Sequence, residues 1–554
     1  MTESPSRVAT PTVAAMVLLA VAAYGVWALL EVSSAGLGAP LRQSMNVFFR
    51  LFALNEPLSV GLLVAFAAAV LFLRAAPGEA AAWPVLTPGR TWVVAGLVAV
   101  AAQLGHIFAV HGVALSMDEF NADFQATILS HGQVFAPVTE PWRGFIFAIK
   151  PVFVVWRAGD LTWYSGYVPV YAAMRAVAQW VHASALLNPV LAGTSVLLLG
   201  AIARRLWPAE PRRVWVAVAC FALSAQFVVT SMTTYAMPAH LAANLLWLYL
   251  YVRDDRAGMI GAALVGAVAL GLHNPFPHAL FVAPFLVRML LRRRFGQLAW
   301  TLVVYAVASY VWLRWLQMNP TPGGGTGLLS LFRVPGLDMW ELQGMNLVLA
   351  LGWQTPVAAL LVVMAMLGHR RLTATEQDLA LGIGLSFLFY VLFNSTQGHG
   401  WGYRYIYAVL GNVALLAAAA LPMLEERVGA VRARRLVSVG LLLGVVALVM
   451  RVQQVERFVR PFASAVDRVS HADADVVVVR TSEVWYGRDL IRNDPYLRGG
   501  PVVVNAGMLG QADYDRLKAS HGPRLRFIDT DELVALGMLR VPPRGPYGPP
   551  PIVP

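Results

Sequence analysis

The chain has 554 residues, of which 58% are hydrophobic and 13% charged, and its mean hydropathy of +0.61 excludes an ordinary soluble globular protein. The formal net charge of +12 points at nucleic acid only until the arginines are located. They cluster in short connections between apolar runs, where a membrane protein holds them on its cytoplasmic side, so nucleic acid is excluded as a partner.

Apolar runs of about 17–22 residues, each long enough to cross a bilayer, recur along most of the chain. They predict an all-α polytopic membrane protein with about thirteen spans, near 12–32, 57–74, 92–114, 187–207, 213–230, 239–252, 258–272, 279–291, 297–316, 346–367, 379–394, 405–424 and 435–450. The first has a long apolar core preceded only by Arg7, which favours an uncleaved helix over a signal peptide. Residues 1–91 then hold extra N-terminal helices, and 92–450 the main membrane domain. Arg204, Arg205, Arg212 and Arg213 share one connection, Arg253 and Arg256 another, Arg288 joins Arg292 to Arg294, Arg370 joins Arg371, and Arg427 joins Arg432, Arg434 and Arg435. These connections are expected in the cytoplasm. The alternate connections, SMTTYAMP, HNPFPH and PTPGGGTG, carry no Lys or Arg and are expected outside. Cys220 is the only cysteine and falls within a span, so no disulfide framework reports the compartment.

Between residue 115 and the cytoplasmic Arg204, two apolar stretches compete for one crossing, 167–187 and 188–203. The first contains Arg175, Gln179 and His182, and an arginine alone costs about 2.5–3.5 kcal/mol at mid-bilayer on insertion scales. It is therefore expected to lie along the interface. Residues 115–186 become one long extracytoplasmic loop with amphipathic pieces rich in Trp and Tyr. That loop opens with Asp118 and Glu119, directly beyond the outer end of the third span. Ser116 and Glu119 have the spacing of a capping box, acidic residues suit a first helical turn, and Phe120, Phe124 and Ile128 follow at helical spacing. By themselves these residues fit a purely architectural role as well as a chemical one.

Three features in fixed order resemble the polyprenyl-phosphate-dependent class C (GT-C) glycosyltransferases, the family of protein O-mannosyltransferases and lipid A aminoarabinose transferases. A span ends in an acidic pair, Met117-Asp118-Glu119, that opens a long outer loop. LTWYSGYVPVYAAM (161–174) leads into LNPVLAGTSVLLLGAIARRLWP, a small-residue helix that ends in a basic pair. GHGWGYRYIYAVLG (398–411) is similar to the glycine-aromatic-arginine turn before a late span. The resemblance covers about residues 92–425. Two extra spans precede the usual first helix, and Pro169 lacks the glycine that often follows it.

The resemblance implies a GT-C-like fold and a membrane glycosyltransferase in the bacterial inner membrane, multi-pass, with its active site outside and no cofactor. The donor would be a polyprenyl-phosphate sugar and the acceptor a hydroxyl of a lipid, glycan or protein. A departing phosphate is already a stable anion, so the chemistry left to the protein is activation of the acceptor hydroxyl. The Asp of the family pair, here Asp118, is implied as general base, and Glu119 would orient the acceptor or support Asp118. Adjacent carboxylates do not supply the separation a glycosidase needs across the scissile bond.

Positive charge for the leaving phosphate is sought among outer cations that the cytoplasmic bias does not explain: Arg143, Lys150, Arg157, Arg175, Arg333 and Arg404. Lys150 is one of only two lysines, the other being Lys518; its compact charge suits phosphate, as it also suits a chain snorkelling to the headgroups. Arg404 lies in Gly402-Tyr403-Arg404-Tyr405, a turn whose glycine lets backbone approach a ligand and whose guanidinium can grip phosphate in two places. Tyr403 is a candidate contact with it. His273 and His278 bracket HNPFPH, whose prolines break a helix and can line a cavity. His399 and His131 are candidates for sugar or phosphate hydrogen bonds, and Trp142, Trp163 and Trp401 for stacking or for the interfacial belt. The histidines lack metal-ligand spacing, and no metal is expected.

After residue 451 the composition changes. ADVVVV, PVVVN and LRFIDT read as buried strands of a small extracytoplasmic α/β domain over 451–540, followed by a Pro-rich tail over 541–554. The alternative class, a transporter or lipid flippase, predicts internal repeats and broken charged helices at mid-membrane. No repeat is found, and the polar groups gather in the outer loops.

Overall fold

The computed structural model describes residues 10–33, 46–74, 82–318, 332–393, 397 and 400–541. His399, the PTPGGGTG connection and the Pro-rich tail from 542 onward lie outside the described residues. Every expected span falls on a helix or on a broken pair of helices. Among the described residues six single helices have the length and apolarity to cross a membrane, and three bent pairs raise that number to 9. Arg256–Ala269 and Phe276–Leu291 are apolar but shorter.

The bends follow from the sequence. Pro57, Pro211 and Pro356 each occupy the first turn of a helix, where a missing N–H costs nothing. At Pro57 the helix Asn46–Asn55 gives way to Pro57–Phe72 with a 43° bend. Ser224 ends the Pro211–Ala222 helix and caps its successor by accepting from Phe227 N at 3.3 Å. The expected span 346–367 is corrected: Leu337–Gly352 and Pro356–Leu367 meet at 117°, because Trp353-Gln354-Thr355-Pro356 interrupts the ladder.

The outer loop is a compact assembly. Its acidic pair begins the helix Met117–Ser130, which packs on the helix Val170–Trp180. The second helix has 11 residues, too few to span, and its Arg175 is buried against Asp123 at 2.5 Å. Between them lies an antiparallel sheet that sequence reading did not foresee, with Thr162–Ser165 between Ala136–Pro137 and Val154–Arg157. The three C-terminal strands do form. Val476–Val479 pairs in parallel with Val502–Asn505 and Leu525–Ile528, and its four valines are all buried, as a central parallel strand requires.

Two connections hold these parts together. Phe124, Ile128 and Trp163 of the outer loop share one apolar core with Val476, Val478 and Val504, so loop and C-terminal domain stand on the same side of the membrane. The helix that carries the last expected span does not stop with its apolar run at 450: it has 41 residues, from Ala430 to Ser470, and is about 60 Å long. Where its apolar part ends, Arg451 is fully buried (0% exposed), ion-paired to Glu56 at 3.0 Å and covered by the Trp353 ring at 4.2 Å. This pair ties the extra N-terminal helices to the main bundle.

Candidate active site

Ser116, in extended conformation, starts the helix Met117–Ser130 and leaves Asp118 in its first turn, where the helix dipole favours an anion. Arg404 Nη1 donates to Asp118 Oδ2 at 2.9 Å across 286 residues of sequence. The Tyr167 hydroxyl donates to the other oxygen, Oδ1. Burial pushes the Asp118 carboxyl up, but the guanidinium of Arg404, the nearby His273 and the Tyr167 hydroxyl outweigh it and hold the group below the usual carboxylate range.

Arg404 is aimed by its turn. Gly402 has φ +76, and a side chain there would collide with Gln226, whose Cδ lies 2.9 Å from the ideal Cβ position. Gln226 Nε2 donates to the Tyr403 carbonyl at 2.7 Å, and Arg404 N donates to Gln397 Oε1 at 3.0 Å. The turn is thereby fixed on both sides of the arginine.

Asp118 and Arg404 border a cleft of about 70 Å³ shared with Tyr235, His240, His273 and Tyr405. His273 packs against Tyr167 with ring centroids 4.1 Å apart. His240 is 3% exposed, and neither ring nitrogen has a hydrogen-bond partner among the described residues. Buried imidazoles without partners are rare, and one lining a cleft is ready for a polar group that enters it.

Glu119 points the other way. It is 1% exposed; Oε2 accepts from Leu115 N at 2.9 Å and Ser116 N at 3.1 Å, and Oε1 accepts from Thr234 N at 3.1 Å. Burial pushes its carboxyl up to about 7 against the pull of these donors. The capping arm expected of Glu119 is present, while Ser116 Oγ donates to the Tyr235 hydroxyl at 2.9 Å. Glu119 thus joins the helix start to the SMTTYAMP connection, and does not border the cleft.

Several expected contacts lie elsewhere. Lys150 Nζ donates to the Val154 carbonyl at 2.6 Å, and Arg143 is held by Glu140 and the Val138 carbonyl. The Tyr403 hydroxyl is buried against Gln343 at 3.3 Å. The His278 ring nitrogens lie 2.8 Å from Asn244 Oδ1 and 2.7 Å from the Tyr305 hydroxyl, packing helices together. Arg157 pairs with Asp160. None of these five borders the cleft. Among the described residues no three His, Cys, Asp or Glu side chains converge.

Sequence reading missed a contribution from the C-terminal domain. In the segment after Val476–Val479, Asp489 accepts from the Met117 backbone N–H, while Arg492 donates to the Ala114 carbonyl and, through Nε, to the Asp489 carbonyl at 2.7 Å. The residues just before Asp118 are strapped by a loop some 370 positions away. The available signal was placement: loops beyond the carboxyl ends of parallel strands commonly carry function.

The structure aligns with that of ArnT from Cupriavidus metallidurans bound to undecaprenyl phosphate, at 14% identity, over 81% of this chain and 91% of that one, with a TM-score of 0.51. The chain has a GT-C-like fold. The apo form of the same ArnT gives 0.49, and an oligosaccharyltransferase of Archaeoglobus fulgidus, tethered with an acceptor peptide, gives 0.43 at 13% identity over 76% of this chain and 64% of that one. No family model and no curated protein sequence matches. In this GT-C-like fold the acidic pair, the glycine-aromatic-arginine turn and the connections near 235 and 273 meet at one place.

Proposed function

We propose that the protein is a membrane glycosyltransferase that moves a sugar from a polyprenyl-phosphate donor to an acceptor hydroxyl, with Asp118 as general base. The observation that carries this reading is the carboxylate of Asp118 clamped by Arg404 and Tyr167 at the edge of a cleft. The arginine-rich connections support a site and C-terminus on the extracytoplasmic face of a bacterial plasma membrane.

The cleft, at about 70 Å³, is smaller than a sugar phosphate needs, so the donor must part the clamp. Its phosphate takes Arg404, which frees one oxygen of Asp118 and removes the main influence lowering its pKa, leaving a stronger base. The acceptor oxygen then bonds to the anomeric carbon, the carbon–oxygen bond to phosphate breaks, and the hydroxyl proton goes to Asp118. The polyprenyl phosphate leaves as an anion against Arg404. His240 faces the same space and offers a hydrogen bond to the donor.

Purified protein assayed with a polyprenyl-phosphate sugar tests this. Asp118→Asn keeps size and polarity but not basicity, and should lose transfer while still binding donor. Full activity in that variant would end the reading.

A further inference from the structure

A second cavity, of about 360 Å³, shares no lining residue with the Asp118 cleft. Four parts of the chain line it: the short helix Asn46–Asn55, the long helix beyond Arg451, the C-terminal domain through Trp485 and Met538, and Leu115, just before the Asp118 helix. Leu51, Leu54, Phe458 and Phe462 give it an apolar lining, and Arg50 and Arg457 stand exposed at its edge. The Arg50 guanidinium lies over the Trp485 ring at 5.2 Å. Arg457 has no acidic partner among the described residues, and the adjacent Glu456 is taken by Arg460 at 2.5 Å and His111 at 3.6 Å.

Depth decides the ligand. The apolar run of the long helix ends at Met450, and Arg457 lies seven residues on, about 10 Å along the axis. That is the level of lipid headgroups. Both arginines stand on the side of the membrane that carries Asp118, opposite the arginine-rich connections, so the cytoplasmic bias does not account for them. Two cations over an apolar, aromatic-walled hollow at headgroup depth complement an amphiphile with an anionic head.

We propose that this cavity binds a membrane phospholipid through its anionic headgroup. The lipid would bridge the N-terminal helices, the long helix and the C-terminal domain. This proposal is independent of the glycosyltransferase reading, since it uses neither Asp118 nor any residue that lines its cleft.

The test is retention of lipid by the full-length protein, purified from bilayers of phosphatidylglycerol and phosphatidylcholine with matched chains, doped with polyprenyl phosphate, and examined by native mass spectrometry. The wild-type protein should hold phosphatidylglycerol in preference. Arg50→Gln with Arg457→Gln should lower that retention on the order of tenfold. Leu54→Asp, at a half-exposed position that tolerates a polar side chain, should repel the headgroup and do the same. Arg498→Gln with Arg516→Gln, elsewhere on the domain, should change nothing. Equal retention of both lipids by the wild type, or undiminished phosphatidylglycerol in both cavity variants, overturns the proposal. So does loss of polyprenyl phosphate instead of phosphatidylglycerol, which would make the cavity part of the donor path.

Discussion

Asp118 and Glu119 are neighbours in sequence with opposite surroundings. Asp118 faces a cleft and meets side chains from distant elements, Tyr167, His273 and Arg404. Glu119 faces protein and meets only backbone N–H groups and the hydroxyl of Ser116. A carboxylate whose oxygens are filled by backbone donors is committed to architecture, whereas one held by an arginine and a phenol can exchange those partners for a ligand. The direction each side chain takes from the first turn of one helix separates the roles.

The largest effect expected from breaking that contrast is on catalysis. Asp118→Asn should lower transfer by about 10²–10⁴-fold, the usual loss on removing a general base, with donor binding intact. Arg404→Ala should weaken donor affinity by roughly ten- to a hundredfold, the equivalent of about 1.5–3 kcal/mol for a charged hydrogen bond, as read by equilibrium binding of polyprenyl phosphate. It also strands the Asp118 carboxylate, so Arg404→Ala with Asp118→Asn should unfold at a higher temperature than Arg404→Ala alone.

A smaller effect is expected at His240. His240→Phe fills the same space without a hydrogen bond, and should raise KM for the donor several-fold, within the about 1–3 kcal/mol that an unmet polar group costs. An unchanged KM would make this imidazole an ordinary packing residue. The smallest effect concerns Glu119, and it reads out in stability. Its carboxyl lies near 7 when folded against 4.5 when free, so the folded state favours the proton. Its stabilising contribution is complete below pH 4.5 and is lost as pH rises through about 7. Melting temperature should fall across that window in the wild type, and Glu119→Gln should flatten the fall while retaining most transfer activity.

Apolar length made the bundle legible, and the valine runs made the C-terminal strands legible, because burial on every side leaves a continuous hydrophobic signature. The 117° break at Trp353–Pro356 was hidden because a span and a hairpin of the same composition look alike in hydropathy. At the site, Asp118 and Arg404 were readable as charges where few charges belong. Tyr167, Tyr235 and His240 were not, since a tyrosine in an outer connection or a histidine in an apolar run has no signature until tertiary structure gives it neighbours. Lys150 drew attention by rarity, yet its ammonium is occupied by a nearby carbonyl. For the strap of Asp489 and Arg492, placement after a parallel strand marked the loop as a candidate for function, but nothing local reveals which surface such a loop will cover.

The unbroken helix Ala430–Ser470 makes the alignment of the outer domain a question of rotational phase. Each residue inserted between Arg451 and Ser470 would turn everything beyond it by about 100° and lift it about 1.5 Å, carrying Asp489 and Arg492 away from the start of the Asp118 helix. Seven added residues, close to two whole turns, would restore the heading but leave the domain about 10 Å too high. The length of this rod is therefore a gauge that sets both bearing and height, and evolution can trade sequence along it far more freely than it can trade residue count.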